Sequence, residues 1–421
     1  MKFVQIKNKL IFRLFLLLFF TFPLPVISQN SQKDFIKENV EFAASQTERL
    51  LQSVGDPTGK NYPRTMDNDG GLVVTGMYDW TPGFFPGSLW YLYELTGDSR
   101  WKDVAEKWTA SLEPLKTFTG HHDLGFMMYC SYGNAERLFP KPEYREILVE
   151  SAHSLSSRFN ENTGAIKSWN YRKAWNDTTE WFYPVIIDNM MNLEMLFYAS
   201  RISENRKFYD IAVKHSETTL KNHFREDFST YHVIDYDTIS GKVLDRATCQ
   251  GFSDNSTWSR GQAWAIYGFT MVYRETKDHR LLEAAIKATK KYIDGLPEDL
   301  IPLWDFNVGE PGYVPEGKSY AVQFREKLRD VSAAAIVCSA LFELAEYSGN
   351  PVYTDYAVRM LHSLSSPSYR ASLGTNAGFL LKHCVGSIPH KSEIDKPLVY
   401  ADYYFLEALT RYSRLIEKRD N

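Results

Sequence analysis

A five-residue pattern recurs along this chain: an aromatic residue or leucine, any residue, an acid, an aliphatic or aromatic residue, and then alanine or leucine. It reads Trp101-Lys102-Asp103-Val104-Ala105, Tyr144-Arg145-Glu146-Ile147-Leu148, Phe208-Tyr209-Asp210-Ile211-Ala212, Leu281-Leu282-Glu283-Ala284-Ala285 and Tyr353-Thr354-Asp355-Tyr356-Ala357. Turn residues precede most copies, as in Thr96-Gly97-Asp98, Lys141-Pro142, Lys277-Asp278 and Gly349-Asn350. Such residues stop one helix and start the next. The acid of the pattern then falls in the first helical turn, where the macrodipole favours it. Each repeat is a helical hairpin that cannot bury its apolar face alone, so the hairpins must pack on one another.

Hydrophobic periodicity gives two sets of helices. One set is amphipathic and outward-facing: 34–51, 99–117, 142–156, 206–223, 280–295 and 351–365. The other is more apolar and richer in small residues: 83–95, 123–138, 188–203, 260–274, 330–348 and 402–415. Six of one kind alternating with six of the other predict an all-α double ring, an (α/α)6 toroid, with 29–421 as a single domain. An open α-solenoid is the alternative, but it would need polar capping repeats. The long connections (52–82, 161–183, 224–259, 296–328 and 366–399) all lead from an outer helix to an inner one. In a toroid they gather over the N-termini of the inner helices, and long loops on a rigid scaffold are where sites are built. The stretch 229–243 alternates like a short β-hairpin on that rim.

The unusual motifs fall at the same end. They are Asp79-Trp80-Thr81-Pro82-Gly83, His121-His122-Asp123, Asp188, Trp258-Ser259-Arg260-Gly261-Gln262-Ala263-Trp264, Arg329-Asp330 and Asp402. Asp188 lies in the apolar run Val185-Ile186-Ile187-Asp188-Asn189-Met190-Met191-Asn192. Removing a lone carboxylate from water costs several kcal/mol unless it is paired or neutralised. Desolvation and a nearby ionised Asp123 would both raise its pKa, while a helix N-terminus would lower it. We expect the first two to prevail and Asp188 to be a general acid; the alternative for each aspartate is a helix N-cap. Trp80, Trp169 and Trp264 lie in loops or at helix starts, where an indole can offer its face to a sugar ring or simply pack. Arg260, at an inner helix start, suits bidentate binding of a substrate carboxylate or sulfate. His232 and Gln250 read equally well as rim hydrogen-bonders or as structural residues.

Composition narrows the class further. A net charge of −4 leaves no basic footprint, which argues against a nucleic-acid partner. The N-terminus runs from Lys2, Lys7, Lys9 and Arg13 through an apolar stretch to Val26-Ile27-Ser28, the order of a signal peptide spanning 1–28. The apolar stretch is short for a membrane span. We therefore expect an exported, periplasmic protein with no membrane span after cleavage, a monomer or dimer. Four separated cysteines show no zinc spacing, and Cys130 and Cys338 read as buried thiols. His121-His122 lacks the spacing of a metal site, and there is no phosphate loop or G-x-S-x-G elbow.

Taken together, Asp79-Trp80-Thr81-Pro82-Gly83-Phe84, His121-His122-Asp123-Leu124-Gly125-Phe126, Ile187-Asp188-Asn189-Met190-Met191-Asn192, Trp258 to Trp264 and Ala401-Asp402-Tyr403-Tyr404 resemble the unsaturated glucuronyl hydrolases of glycoside hydrolase family 88. The resemblance covers nearly the whole mature chain. It implies an (α/α)6 barrel without metal or cofactor. The implied substrates are oligosaccharides that polysaccharide lyases leave with a 4,5-unsaturated uronic acid at the non-reducing end. By the same resemblance Asp188 protonates C4 of the vinyl ether and helps water attack C5, and Asp123 is its partner carboxylate. The resemblance also implies that Trp80, Trp169, His232, Thr248, Gln250, Arg260 and Trp264 match family positions lining the uronate subsite. Many members carry histidine where this chain has Cys249, a weak hydrogen-bonding group. Competing expectations are an unsaturated rhamnogalacturonyl hydrolase of the family 105 type, a sugar epimerase with histidine bases, and a helical-repeat glycan-binding protein without activity.

Overall fold

The structure, a computed structural model, describes residues 29–317 and 319–420. The segment 1–28, expected to be a signal peptide, lies outside the described residues. Thirteen α-helices are present among the described residues: α1 (Gln29–Val54), α2 (Phe84–Thr96), α3 (Ser99–Ala110), α4 (Leu124–Met128), α5 (Asn134–Leu138), α6 (Pro142–Ser156), α7 (Leu193–Ser203), α8 (Arg206–Asn222), α9 (Ser259–Thr276), α10 (His279–Asp294), α11 (Val331–Ser348), α12 (Pro351–Leu364) and α13 (Val399–Asp420). The inner helices α2, α4–α5, α7, α9, α11 and α13 pack side by side, and α13 meets both α11 and α2, which closes the ring. The outer helices α1, α3, α6, α8, α10 and α12 surround it. This is the (α/α)6 toroid, and the open solenoid is excluded.

Four of the five turns from inner to outer helices share one physical solution; the exception, between α5 and α6, has neither a left-handed residue nor a side-chain cap. Gly97, Glu204, Lys277 and Gly349 each adopt a left-handed conformation that ends the inner helix. The next residue, Asp98, Asn205, Asp278 or Asn350, then caps the outer helix by accepting the backbone N–H two residues on. Two residues therefore suffice for each of these four turns, and the long connections lie at the opposite end. There the long loops form short hairpins, including 62–66 with 72–75, 384–387 with 392–396, and a three-stranded sheet of 184–186, 233–236 and 243–247. The rim hairpin expected over 229–243 is thus present, with its second strand at Val243–Ala247.

Two inner helices depart from the simple periodic reading. The segment expected as a helix over 123–138 is split by a π-helical turn at Tyr129–Gly133. A Cβ on Gly83 would lie 2.2 Å from the Met127 carbonyl, and one on Gly87 2.5 Å from that of Cys130. Helix α2 therefore presses on this backbone, and the widened turn accommodates it. The helix expected from Asp188 begins instead as a 3-10 turn, Ile187–Asn192, before α7. Asn189 and Asn192 direct their side chains to the Ile166 carbonyl and the Phe126 amide, which holds the turn tight.

Candidate active site

The two singled-out aspartates meet in one cavity of about 260 Å³ at the loop-bearing end. Asp188 leaves the three-stranded sheet directly. The amide of Ile186 donates to the Ser168 hydroxyl, and that of Ile187 to the His232 carbonyl, so both flanks of the turn are pinned. Asp123 precedes α4, whose second residue is Gly125. A Cβ there would sit 2.4 Å from the Asn192 Cα, and the Phe126 amide donates to Asn192 Oδ1 at 3.0 Å. The starts of the two helices are thereby locked together, which fixes one aspartate relative to the other. Neither side chain caps its helix, so the capping alternative fails for both.

The two carboxyls have opposite electrostatics. Burial would raise the pKa of Asp123, but His122, His121 and Arg158 outweigh it and hold the group below the usual carboxylate range. His121 approaches it at 3.1 Å and His122 at 3.3 Å. Burial, opposed by the charge of Asp123, lowers the pKa of His122 to about 4, so this imidazole is neutral. Burial also works against a charge on His121, yet its hydrogen bond to Asp123 raises it.

Asp188 is pushed the other way, to about 7. Burial is the main cause; Arg260 opposes the rise and Asp123 adds to it. Its Oδ2 is buried and makes no hydrogen bond. The nearest cationic candidate is His232, whose Nε2 lies 3.6 Å away. His232 Nδ1 accepts the amides of Cys249 and Gln250 at 3.1 and 3.2 Å, which puts the ring proton on Nε2, facing Asp188. Burial, followed by the charges of Arg260 and Arg172, keeps this imidazole neutral. Each aspartate thus has a neutral imidazole beside it, yet Asp123, which His121 also contacts, is held below the usual carboxylate range and Asp188 is held above it. Such a split separates an acid from a base.

The other residues singled out from sequence fall into two groups. Trp80, Trp169, Gln250 and Arg260 line the cavity with the aspartates. His232, Thr248 and Trp264 stand behind that lining, so the structure brings four of the seven residues to the cavity wall. His232 lies behind Asp188. The Thr248 hydroxyl accepts the Gly251 amide at 2.8 Å and its own amide donates to Asp254, so it holds a turn. Trp264 is fully buried among Phe126 and Tyr404. It faces Asp188 closely enough to favour the anion, but without the alignment of a hydrogen bond. Arg260 also departs from the expected free carboxylate binder. It is 1 % exposed and pairs with Asp330 at 2.9 Å. It further donates to the carbonyls of Val385 and Gly386. Asp330 caps α11, and Asp402 accepts the amides of Leu380 and Leu381, so both acids are structural.

Sequence reasoning missed Arg64, Arg172, His390, Glu393 and Tyr400 on the cavity wall. Most of them sit on hairpins, whose folding back over the ring leaves no periodic signal. It also missed that His121 and His122 serve Asp123; their direct adjacency to that acid was the available clue. The four cysteines are buried and free. Among the described residues, no group of three or more His, Cys, Asp or Glu side chains could hold a metal ion. A larger cavity, about 450 Å³, opens at the opposite end of the ring. Its arginines, Arg137, Arg201, Arg274, Arg411 and Arg414, are each paired with a glutamate, which leaves no free cation for a ligand.

A helical double ring with two aspartates of opposed pKa shift in one indole-lined cavity fits a hydrolase of glycosidic bonds. The family model described as Glycosyl Hydrolase Family 88 matches residues 58–305. An unsaturated glucuronyl hydrolase of Formosa agariphila is 45 % identical over 397 residues, covering 93 % of this chain and 95 % of the relative. The crystal structure of an unsaturated glucuronyl hydrolase specific for heparin superposes with a TM-score of 0.83 at 43 % identity, covering 91 % of this chain and 98 % of that one. An unsaturated glucuronyl hydrolase of Streptococcus agalactiae, an aspartate-to-asparagine mutant complexed with dGlcA-GalNAc6S, superposes with a TM-score of 0.74 at 27 % identity, covering 93 % of each chain. This chain belongs to glycosyl hydrolase family 88.

Proposed function

We propose that this enzyme removes the 4,5-unsaturated uronic acid from the non-reducing end of oligosaccharides released by polysaccharide lyases. One observation carries the reading: the two cavity aspartates have pKa values driven apart, with Asp188 raised to about 7 and Asp123 lowered. Protonating a vinyl ether at carbon is the difficult step, and it needs an acid that still holds its proton at working pH. Asp188 delivers its proton to C4, and the resulting carboxylate then takes a proton from the water that attacks C5. Asp123, already ionised, accepts hydrogen bonds from the sugar hydroxyls and fixes the ring over Asp188. The hemiketal formed at C5 opens and releases the remaining saccharide, so no covalent glycosyl-enzyme is required. This differs from the usual two-carboxylate glycosidase routes, which have known exceptions. Relatives named for chondroitin disaccharides and for heparin, and one complexed with dGlcA-GalNAc6S, support that substrate class. The N-terminal basic and apolar segments support an exported, periplasmic enzyme working downstream of lyases.

An epimerase reading fares worse, because the imidazoles beside the aspartates are turned toward Asp123 and Asp188 and are not free as bases. The test is loss of the ultraviolet absorbance of the unsaturated uronate. Lyase-generated glycosaminoglycan disaccharides are expected to bleach on adding the enzyme. Retained absorbance alongside proton exchange into a saturated sugar would overturn the reading in favour of an epimerase. The pH profile gives a second check. The acid acts when protonated, so kcat/KM is expected to fall as pH rises through about 7, the value of Asp188 in the free enzyme. Because Asp123 ionises below the ordinary range, activity should persist into mildly acidic buffer. A profile that instead rises through pH 7 would remove Asp188 from the role of acid.

A further inference from the structure

Three arginines line the cavity, and two of them are consumed within the protein. Arg64 pairs with Asp79 and Glu393. Arg260 is held by Asp330 and by the carbonyls of Val385 and Gly386. Arg172 differs, because among the described residues no carboxylate lies within ion-pair distance of it. Its guanidinium rests 4.9 Å from the ring centre of Trp169, and its Nη2 donates to Nε2 of His390. Since that nitrogen accepts, the ring proton is on Nδ1, which faces the Ser387 hydroxyl at 2.5 Å. Burial, assisted by the charge of Arg172, lowers the pKa of His390 to about 4, so the ring remains an acceptor at neutral pH. Trp175 packs edge-on against the same imidazole at 4.8 Å. An aromatic face and one neutral acceptor therefore orient a guanidinium and leave most of its five donors unspent.

We propose that Arg172 is a specificity-determining residue that grips an anionic oxygen group of the substrate, a carboxylate or a sulfate ester. The inference rests on the uronate-removing reading above, since an acidic sugar is what brings such a group into this cavity. Asp123, held below the usual carboxylate range, presents a negative group there, and a second anion settles beside it more readily with a cation that is not already paired. Arg172 is the cation placed to do so. Its planar fork matches either group with two parallel N–H donors. The uronate carboxylate and a sulfate on the adjoining sugar offer the same chemistry, and the test separates them.

The experiment measures calorimetric binding to the mature chain carrying Asp188→Asn, so that ligand is not consumed, with and without Arg172→Ala or Arg172→Lys. Three unsaturated disaccharides are compared: the unsulfated free acid, its uronate methyl ester without sulfate, and a sulfated free acid. Arg172→Ala is expected to weaken binding about ten- to a hundredfold for ligands carrying the gripped group, with partial rescue by lysine, which lacks the fork. Equal loss for both free acids and none for the ester assigns the uronate carboxylate. Loss for the sulfated ligand alone assigns the sulfate. Unchanged affinity for all three, or a matching loss for the ester that has neither anion, overturns the proposal. A parent that binds none of the three overturns the uronate reading together with this one, whereas normal parental binding without an Arg172 effect overturns this one alone.

Discussion

Asp188→Asn is expected to lower kcat on unsaturated uronate disaccharides by about 10³-fold or more, with the protein still folded. The amide occupies the volume of the carboxyl but has no proton to give to carbon and cannot take one from water. KM should change little, because Trp80, Trp169 and Asp123 on the cavity wall are untouched. Stability should move in the opposite direction from activity. A carboxyl whose folded pKa is raised from 3.8 to about 7 weakens the fold increasingly as pH climbs between those values, and by a constant amount above them. Removing it should therefore stabilise the protein by a few kcal/mol at pH 8, on the order expected for a shift of this size. The gain should vanish below about pH 4. Urea unfolding at pH 4 and pH 8 reads this directly. A variant that retains near-parental turnover, or that loses stability at pH 8, would contradict the buried-acid account.

Arg260→Met should produce the largest structural effect. Asp330 is fully buried, and deleting its partner leaves an uncompensated carboxylate in the interior, which costs about 3–5 kcal/mol. The carbonyls of Val385 and Gly386 lose their donor at the same time. The double variant Arg260→Met/Asp330→Asn should recover much of the loss, because the orphaned charge goes while the acceptor that caps α11 remains. A kinetic signature accompanies this. Arg260 is the strongest influence lowering the pKa of Asp188, so its removal should carry the alkaline limb of kcat/KM above 7. A single variant within about 0.5 kcal/mol of the parent, as ordinary surface changes are, would deny the pair its structural role. A limb that moved downward would deny the electrostatic one.

The ring was readable because its signals are local. A left-handed residue and an Asx cap recur at Gly97-Asp98, Lys277-Asp278 and Gly349-Asn350, and a period set by these turns names its own architecture; the acid of each repeat, expected in the first helical turn, lies just beyond it at the fifth residue of its helix. The proposed acid was readable for a similar reason: a carboxyl inside Ile187-Asp188-Asn189-Met190 violates the pattern around it. What surrounds that pair was harder to see. Arg260 looked available because sequence cannot reveal that the carbonyls of Val385 and Gly386, more than a hundred residues away, fold back onto it. Thr248 and Trp264 carry groups suited to sugars, but burial commits them elsewhere. The 3-10 turn at Asp188 and the π turn at Tyr129–Gly133 come from backbone crowding between neighbouring helices, which depends on the finished ring.

The grip of Arg260 on the hairpin 384–396 has a further consequence. That ribbon is anchored at its base to the inner ring, while its tip, with Ser387, His390 and Ser392, borders the cavity. Residues at the tip can be exchanged with little disturbance to the proton donor, because base and tip answer to different constraints. Lineages feeding on different polymers could thus retune one edge of a common enzyme and inherit its chemistry intact.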